Sequence, residues 1–247
     1  MDNFFMAHIE DLSLRSGSKN IYTFSNFLSE DEQNEIMMHR KSLTEFSFFG
    51  GTEGTQRKMV RFGNEEELFY SEEFPIDCIK AEPLNKKFAD RLSHRDVLGA
   101  IMNLSVEREH IGDIIIKEDC SFIFVTKKMS EYIKENLKKI RHTDVKCSLC
   151  TFSDDESLFT LEEKIFISSS LRADCVISAV YNLSRNQASE MFRAKKVFIN
   201  SRQCESTSKI LSENDTVSVR GYGKFIYTGC LSKTKKDRLK ISVSIYA

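Results

Sequence analysis

The segment SRNQASEMFRAKKVFINSR, residues 184–202, concentrates groups able to neutralise phosphate. Ser184 and Gln187 stand at the S-x-x-Q spacing of a capping box, and Ala188, Met191 and Phe192 supply one apolar side. At about 100° per residue, Arg185 and Arg193 fall within roughly 80° of each other, on one broad helix face. Lys195 and Lys196 extend that face into the strand VFIN. Asn200-Ser201 reads as a hairpin turn, with Arg202 just beyond it. Cations at these spacings bind a polyanion by releasing its counterions, so affinity should depend on salt. The helix start at Ser184, with Asn186 and Gln187 in its first turn, adds backbone donors for an anion.

A second cluster sits in VRGYGKFIY, residues 219–227, where Arg220, Tyr222, Lys224, Phe225 and Tyr227 surround Gly221 and Gly223. The stretch nearly matches the RNP1 signature of an RNA-recognition motif, with Lys224 as one extra residue before the second aromatic. That match is false, because the β-α-β-β-α-β unit that could host it ends near residue 152. Arg220, Tyr222 and Lys224 instead suggest a second polyanion contact on a glycine-flanked strand end. Phe225 reads as core.

Three other motifs have chemical readings. In FSFFGGTEGTQRKMVRFG, residues 46–63, the N–H groups around Gly50 and Gly51 could form an anion nest, strengthened by Arg57 and Lys58. Spacing alone favours a tight turn, since GG-x-x-G lacks the G-K-[ST] ending of a P-loop. The C-x-x-C pair Cys147 and Cys150 has no second pair, so strand packing outweighs a metal site. The HRD at 94–96 lacks every companion of a kinase catalytic loop and reads as a helix start.

The elements that position these groups follow from periodicity. Ser29 and Glu32 form a capping box preceded by Phe27, and Leu28, Ile36 and Met37 give that helix its apolar contacts. IDCIKAEP (76–83) suggests a strand; Ser93 and Asp96 cap a helix whose apolar face is Val97, Leu98, Ile101, Met102 and Leu104. DIIIKE and SFIFVTK follow as strands. MSEYIKENLKKI (129–140) has Tyr132, Ile133, Leu137 and Ile140 at helical spacing, and DVKCSLCTF (144–152) alternates. The order β-α-β-β-α-β is ferredoxin-like, as in an RNA-recognition motif. Either Phe122 and Phe124 or Ile123 and Val125 face the helices; the sequence leaves open whether Phe122 and Phe124 stack bases. LRADCVISAVYNL (171–183) precedes the capped helix at Ser184, and LKISVSIY closes the chain as a strand.

The fold class expected is therefore α+β in three parts: a mostly helical N-terminal domain over 1–74, an RRM-like domain over 75–165 and a basic domain over 171–247. A content of 40% hydrophobic and 30% charged residues fits globular domains rather than disorder. Only 2 Pro and 10 Gly leave little room for long linkers. Residues 171–247 carry 14 basic against 6 acidic side chains, whereas the rest carries 22 against 31. This polarity suggests one nucleic-acid-facing end beneath a net charge of -1. No apolar run reaches the roughly 20 residues of a membrane span. The acidic start and seven scattered cysteines suggest a cytoplasmic chain with free thiols. No cofactor, metal or catalytic residue is expected.

Leu171-Arg172-Ala173-Asp174, Ser184-Arg185, Ala188, Val197, Ile199-Asn200 and Asp215-Thr216-Val217 resemble the S4 RNA-binding module. With VSVRGYGKF, FFGGTEGTQRK (48–58) and HRDVLGAIMNL…IGDIII (94–116), the chain resembles the bacterial YlmH family. The resemblance implies an N-terminal domain, a central RRM-like domain and a C-terminal S4 domain. It implies a non-enzymatic protein that binds large-subunit ribosomal RNA and acts on stalled peptidyl-tRNA complexes. Further implications are contact with tRNA, a monomer, and a link to cell-division gene clusters. An S4-targeted RNA-modifying enzyme and a division adaptor are the competing readings. The RNA-binding residues then comprise Arg172, Ser184, Arg185, Asn186, Gln187, Arg193, Lys195, Lys196, Asn200, Arg202, Arg220, Tyr222 and Lys224. Gly50, Gly51, Arg57 and Lys58 are the candidates for a secondary RNA or anion site, the alternative to the tight turn. The chain departs from the S4 and family pattern at Ala194-Lys195 and Asp237, where glycine is usual, and at Ser201, where glycine or, in this family, tryptophan is usual.

Overall fold

Antiparallel pairing dominates the computed structural model, which describes residues 3–85, 89–151, 158, 161–200 and 202–246. The chain divides into two compact units, Met1–Leu158 and Phe159–Ala247. The fold is α+β.

The first unit begins with α1 (Asn3–Lys19), β1 (Thr23–Phe24), α2 (Glu30–Met38), β2 (Phe46–Phe49), β3 (Met59–Phe62) and α3 (Glu65–Leu68). Ser29 caps α2 in the expected box with Glu32. This part is less helical than its sequence suggested: β1, β3 and β2 form a three-stranded sheet. Val60 and Phe62 from that sheet pack with Ile9, Leu12, Leu28 and Ile36. The Gly-rich segment is the β2–β3 connection, with Phe49 opposite Met59.

There follow β4 (Ile76–Pro83), α4 (His94–Met102), β5 (Ile111–Ile116), β6 (Ser121–Thr126), α5 (Lys127–Asn136), β7 (Lys139–Ile140) and β8 (Thr143–Cys150). Their sheet order is β5-β6-β4-β8-β7, the ferredoxin-like arrangement extended by one short edge strand. One expectation changes here. The helical run does not reach Ile140, because α5 stops at Asn136 and Ile140 pairs with Thr143 in a β7–β8 hairpin. Arg141 makes that turn in the left-handed region, at φ 53°.

The structure also decides which face of β6 meets the helices. Ile123 and Val125 join Ile79, Val97, Ile101 and Ile133 in the core. Phe124 points the other way and is buried nonetheless. A Cβ added at Gly51 would lie 2.3 Å from its ring, and one at Gly112 would lie 2.6 Å from the Phe27 ring. Both glycines therefore allow close packing on the sheet face where an RNA-recognition motif would stack bases. Phe122 on the same face is half-buried.

The second unit contains β9 (Leu161–Ser168), α6 (Ala173–Val180), α7 (Arg185–Arg193), β10 (Val197–Ile199), β11 (Arg202–Gln203), β12 (Thr216–Val219), β13 (Gly223–Lys233) and β14 (Leu239–Tyr246). Its sheet runs β11-β10-β12-β13-β14-β9. Residues 161–165, allotted from the sequence to the middle domain, pair with β14 in this sheet. Val176, Ile177, Ala188 and Phe192 from the helices pack on Val197, Val217, Phe225, Tyr227 and Val243. That packing fixes which helix faces remain in water.

Candidate nucleic-acid interface

Local bonding positions both ends of α7. Gln187 N donates to Ser184 Oγ at 3.2 Å, while Ser184 N donates to Gln187 Oε1 at 2.9 Å. The box satisfies two groups that a helix start leaves unpaired. Burial of Ala188 and Phe192 turns Arg185, Asn186, Gln187 and Arg193 to solvent. Arg185 also reaches Ser169 Oγ, at 3.2 Å.

At the other end the chain leaves the helix through a Schellman motif. Lys195 N donates to Phe192 O at 3.0 Å and Lys196 N to Met191 O at 2.9 Å, with Lys195 at φ 56°. The sequence lacks the usual glycine, yet the turn forms. It leaves Arg193, Lys195 and Lys196 exposed next to the fully buried start of β10. Lys195 Nζ lies 3.6 Å from the exposed Glu205.

The β12–β13 hairpin brings the second cluster to this end of α7. Arg220 N donates to Lys196 O at 2.9 Å, and the Arg220 guanidinium lies over the Phe198 ring, 4.8 Å from its centroid. Gly221 turns the hairpin at φ 88°, with open space where a Cβ would stand. Tyr222 is 44% exposed, its ring 5.5 Å from that of Tyr181. Lys224 is half-buried on β13, while Phe225 and Tyr227 are core, so the stretch is a hairpin tip and inner strand.

Other expected residues have internal roles. Arg172 holds Asp174 with both ends of its guanidinium, at 3.0 and 2.8 Å. Asn200 donates to Asp215 Oδ1 at 2.7 Å and accepts from Thr216 N at 2.9 Å, which fixes the turn after β10. Arg202 is exposed opposite Ile199. Ser201 lies outside the described residues. The sequence reading passed over Lys235, Lys236 and Arg238, exposed between β13 and β14; the charge run KTKKDRLK was the signal available.

The Gly-rich loop already holds an anion from within the chain. Gln56 N and Arg57 N donate to the Asp113 carboxylate at 2.5 and 3.1 Å. Arg57 spends its guanidinium on Ile111 O at 2.9 Å and Phe27 O at 2.8 Å. Burial pulls the Arg57 pKa down, against Glu32 and Asp113, which hold it up. Lys58 pairs by its backbone with Leu28. Gly50 has no room for a side chain, since a Cβ there would lie 2.5 Å from Arg57 O. Gly50, Gly51, Arg57 and Lys58 are thus engaged in packing and pairing within the first unit.

Cys147 and Cys150 lie on opposite faces of β8, so one ion cannot join them. Cys147 packs on the central core, and burial pushes its thiol up to about 11. Cys150 stands across from Cys78. Glu107, Glu109 and His110 bring ligand atoms within 4.8 Å of one another, but Glu109 already accepts from Asn26 at 2.8 Å. Among the described residues, no helix is long and apolar enough to cross a membrane.

Comparison with known proteins gives likenesses of three kinds. A family model described as "Putative RNA-binding domain in YlmH" matches residues 70–154. The Bacillus subtilis (strain 168) ribosome-associated protein quality control protein P2 is 26% identical over 200 residues, which span 79% of this chain and 76% of the relative. The cell division protein ylmH from Streptococcus pneumoniae aligns with a TM-score of 0.50 at 19% identity, covering 63% of this chain and 94% of that one; this likeness shows the fold alone. The resemblance to YlmH proteins, expected from the sequence, is thereby shown, and the family model places it on residues 70–154.

Proposed function

We propose that this YlmH-like chain is a non-enzymatic RNA-binding factor. It would bind large-subunit ribosomal RNA through a C-terminal S4-type surface and act on stalled ribosome–peptidyl-tRNA complexes. The observation that carries this reading is the bond from Arg220 N to Lys196 O, which sets the hairpin tip beside the basic end of α7. The ribosomal partner is suggested by the name of the Bacillus subtilis relative. On this reading the N-terminal part, the RRM-like domain and the S4 domain, whose sheet includes β9, belong to a cytoplasmic monomer, with tRNA as a further ligand.

The geometry supports recognition by shape. A-form RNA hides its base edges in a deep groove and presents phosphates and 2′-hydroxyls. Arg193, Lys195, Lys196 and Arg220 supply cations for the phosphates. Gly221, with nothing within 4 Å of its missing Cβ, lets the hairpin backbone approach the sugar edge closely. The exposed half of Tyr222 offers a flat apolar contact.

The test is co-sedimentation with purified large ribosomal subunits. The double substitution Arg185→Glu and Lys196→Glu should abolish it while the melting temperature stays near wild type. Both side chains are exposed, and the bond from Arg220 uses only the Lys196 backbone. Unchanged co-sedimentation would overturn the proposed surface.

A further inference from the structure

The central domain has the fold of an RNA-recognition motif, yet its usual binding face is partly closed. Phe124 lies buried on that face, against the positions of Gly51 and Gly112. A domain of RNA-binding type with this platform obstructed needs another contact surface, and the opposite, helical side of the sheet offers one.

On that side a groove of about 640 Å³ runs between α4 and the segment joining α5 to the β7–β8 turn. Arg95, Gly99 and Asn103 line one wall; Lys138, Lys139 and Arg141 line the other. The first three recur every four residues, so they form one stripe along α4. Val97 and Ile101 are buried on a different side of the helix, which fixes the stripe toward the groove.

The lining is strongly cationic. Among the described residues Asp96 is its one carboxylate, and that group is occupied as the capping acid of α4, accepting from Ser93 N at 2.9 Å. Arg141 Nη1 lies 3.8 Å from it. Arg95, Lys138 and Lys139 remain to meet an anion. Among the described residues no aromatic ring lines the groove, which favours phosphate contact over base stacking there.

Gly99 points to the same use. A glycine inside a helix costs about 0.5–1 kcal/mol relative to alanine. Packing does not account for it here: nothing lies within 4 Å of where its Cβ would be. The missing side chain leaves the groove wall open, as close approach of a ligand to the helix requires.

We propose that this groove binds the phosphodiester backbone of RNA, as a second contact separate from the S4-type surface. The proposal rests on the reading of the chain as an RNA-binding factor and adds a site to it. Two substitutions test it without weakening α4. Gly99→Leu replaces the poorest ordinary helix former with a good one and fills the groove. Arg95→Glu places an acid in the first turn, where the helix dipole favours it, and reverses a lining charge.

The measurement is the affinity of the full chain for labelled double-stranded RNA, with thermal melting alongside and Arg193→Glu as the reference for the S4-type surface. Both groove variants should melt at or above the wild-type temperature and bind about tenfold more weakly, as expected for the loss of a phosphate contact. If Arg193→Glu weakens binding while both groove variants bind like wild type, the groove is overturned and the S4-type reading stands. If all three bind like wild type, both fall. Should Gly99→Leu lower the melting temperature, Gly99→Ala replaces it as the folding control and Arg95→Glu alone decides.

Discussion

Lys195 belongs to the proposed surface and holds its place there in a strained backbone. It takes the left-handed conformation, φ 56°, at the exit of α7, where a non-glycine residue is strained. Asp237 does the same at φ 56°, also at a position where the family pattern favours glycine. At Lys195 and Asp237 the departure from glycine therefore adds strain while the left-handed turn still forms. Lys195→Gly should raise stability by about 0.5–1 kcal/mol, because the strain at the Schellman turn is relieved. It should also weaken RNA binding, since an exposed cation is lost from the proposed surface. Chemical denaturation and an RNA titration of the same variant check the two halves. A rise in stability with unchanged affinity would remove Lys195 from the interface. The cation was legible in the sequence; its left-handed backbone was not, since that depends on how β10 must continue from the helix.

At the scale of elements, local signals were read best. The capping boxes at Ser29, Ser93 and Ser184 all form, because each is settled within four residues. The ferredoxin-like order of the central strands followed from alternation and helical spacing in the same way. What the sequence concealed was long-range. β1 has two residues, and its pairing with β3 spans a helix and a hairpin, so no local pattern announces it. Ile140 kept helical spacing but was taken by the β7–β8 hairpin. Arg57 looked like a free cation beside a glycine turn, yet its partners come from Phe27, Ile111 and Asp113. Arg57→Ala should therefore destabilise the first unit by about 2–4 kcal/mol, since it leaves buried acceptors unpaired and Asp113 short of a countercharge. RNA affinity of the folded protein should not change. Urea unfolding followed by an RNA titration separates the outcomes; weaker RNA binding at wild-type stability would restore the loop as an anion site.

For the whole molecule, net charge is the least informative description. The sequence total of -1 conceals residues 171–247, with 14 basic and 6 acidic side chains. That asymmetry was readable before any fold was known. The sequence could not say which of these cations are already engaged, as Arg172 is by Asp174. On the proposed surface the set is Arg185, Arg193, Lys195, Lys196 and Arg220, of which Lys195 also faces Glu205 and Arg220 lies over the Phe198 ring. If all five neutralise phosphates, the slope of log affinity against log salt should be about -4.5, taking the duplex coefficient. Raising salt from about 50 to 200 mM should then cost several hundredfold in affinity. The Arg185→Glu, Lys196→Glu protein should show a slope shallower by about 2, because two phosphate contacts are removed. Groove contacts from Arg95 and Lys138 would steepen the wild-type slope, and the difference between wild type and Arg95→Glu would measure that contribution directly. Affinity indifferent to salt would mean that phosphate neutralisation is not what holds the RNA, and the cationic surface would lose its assigned role.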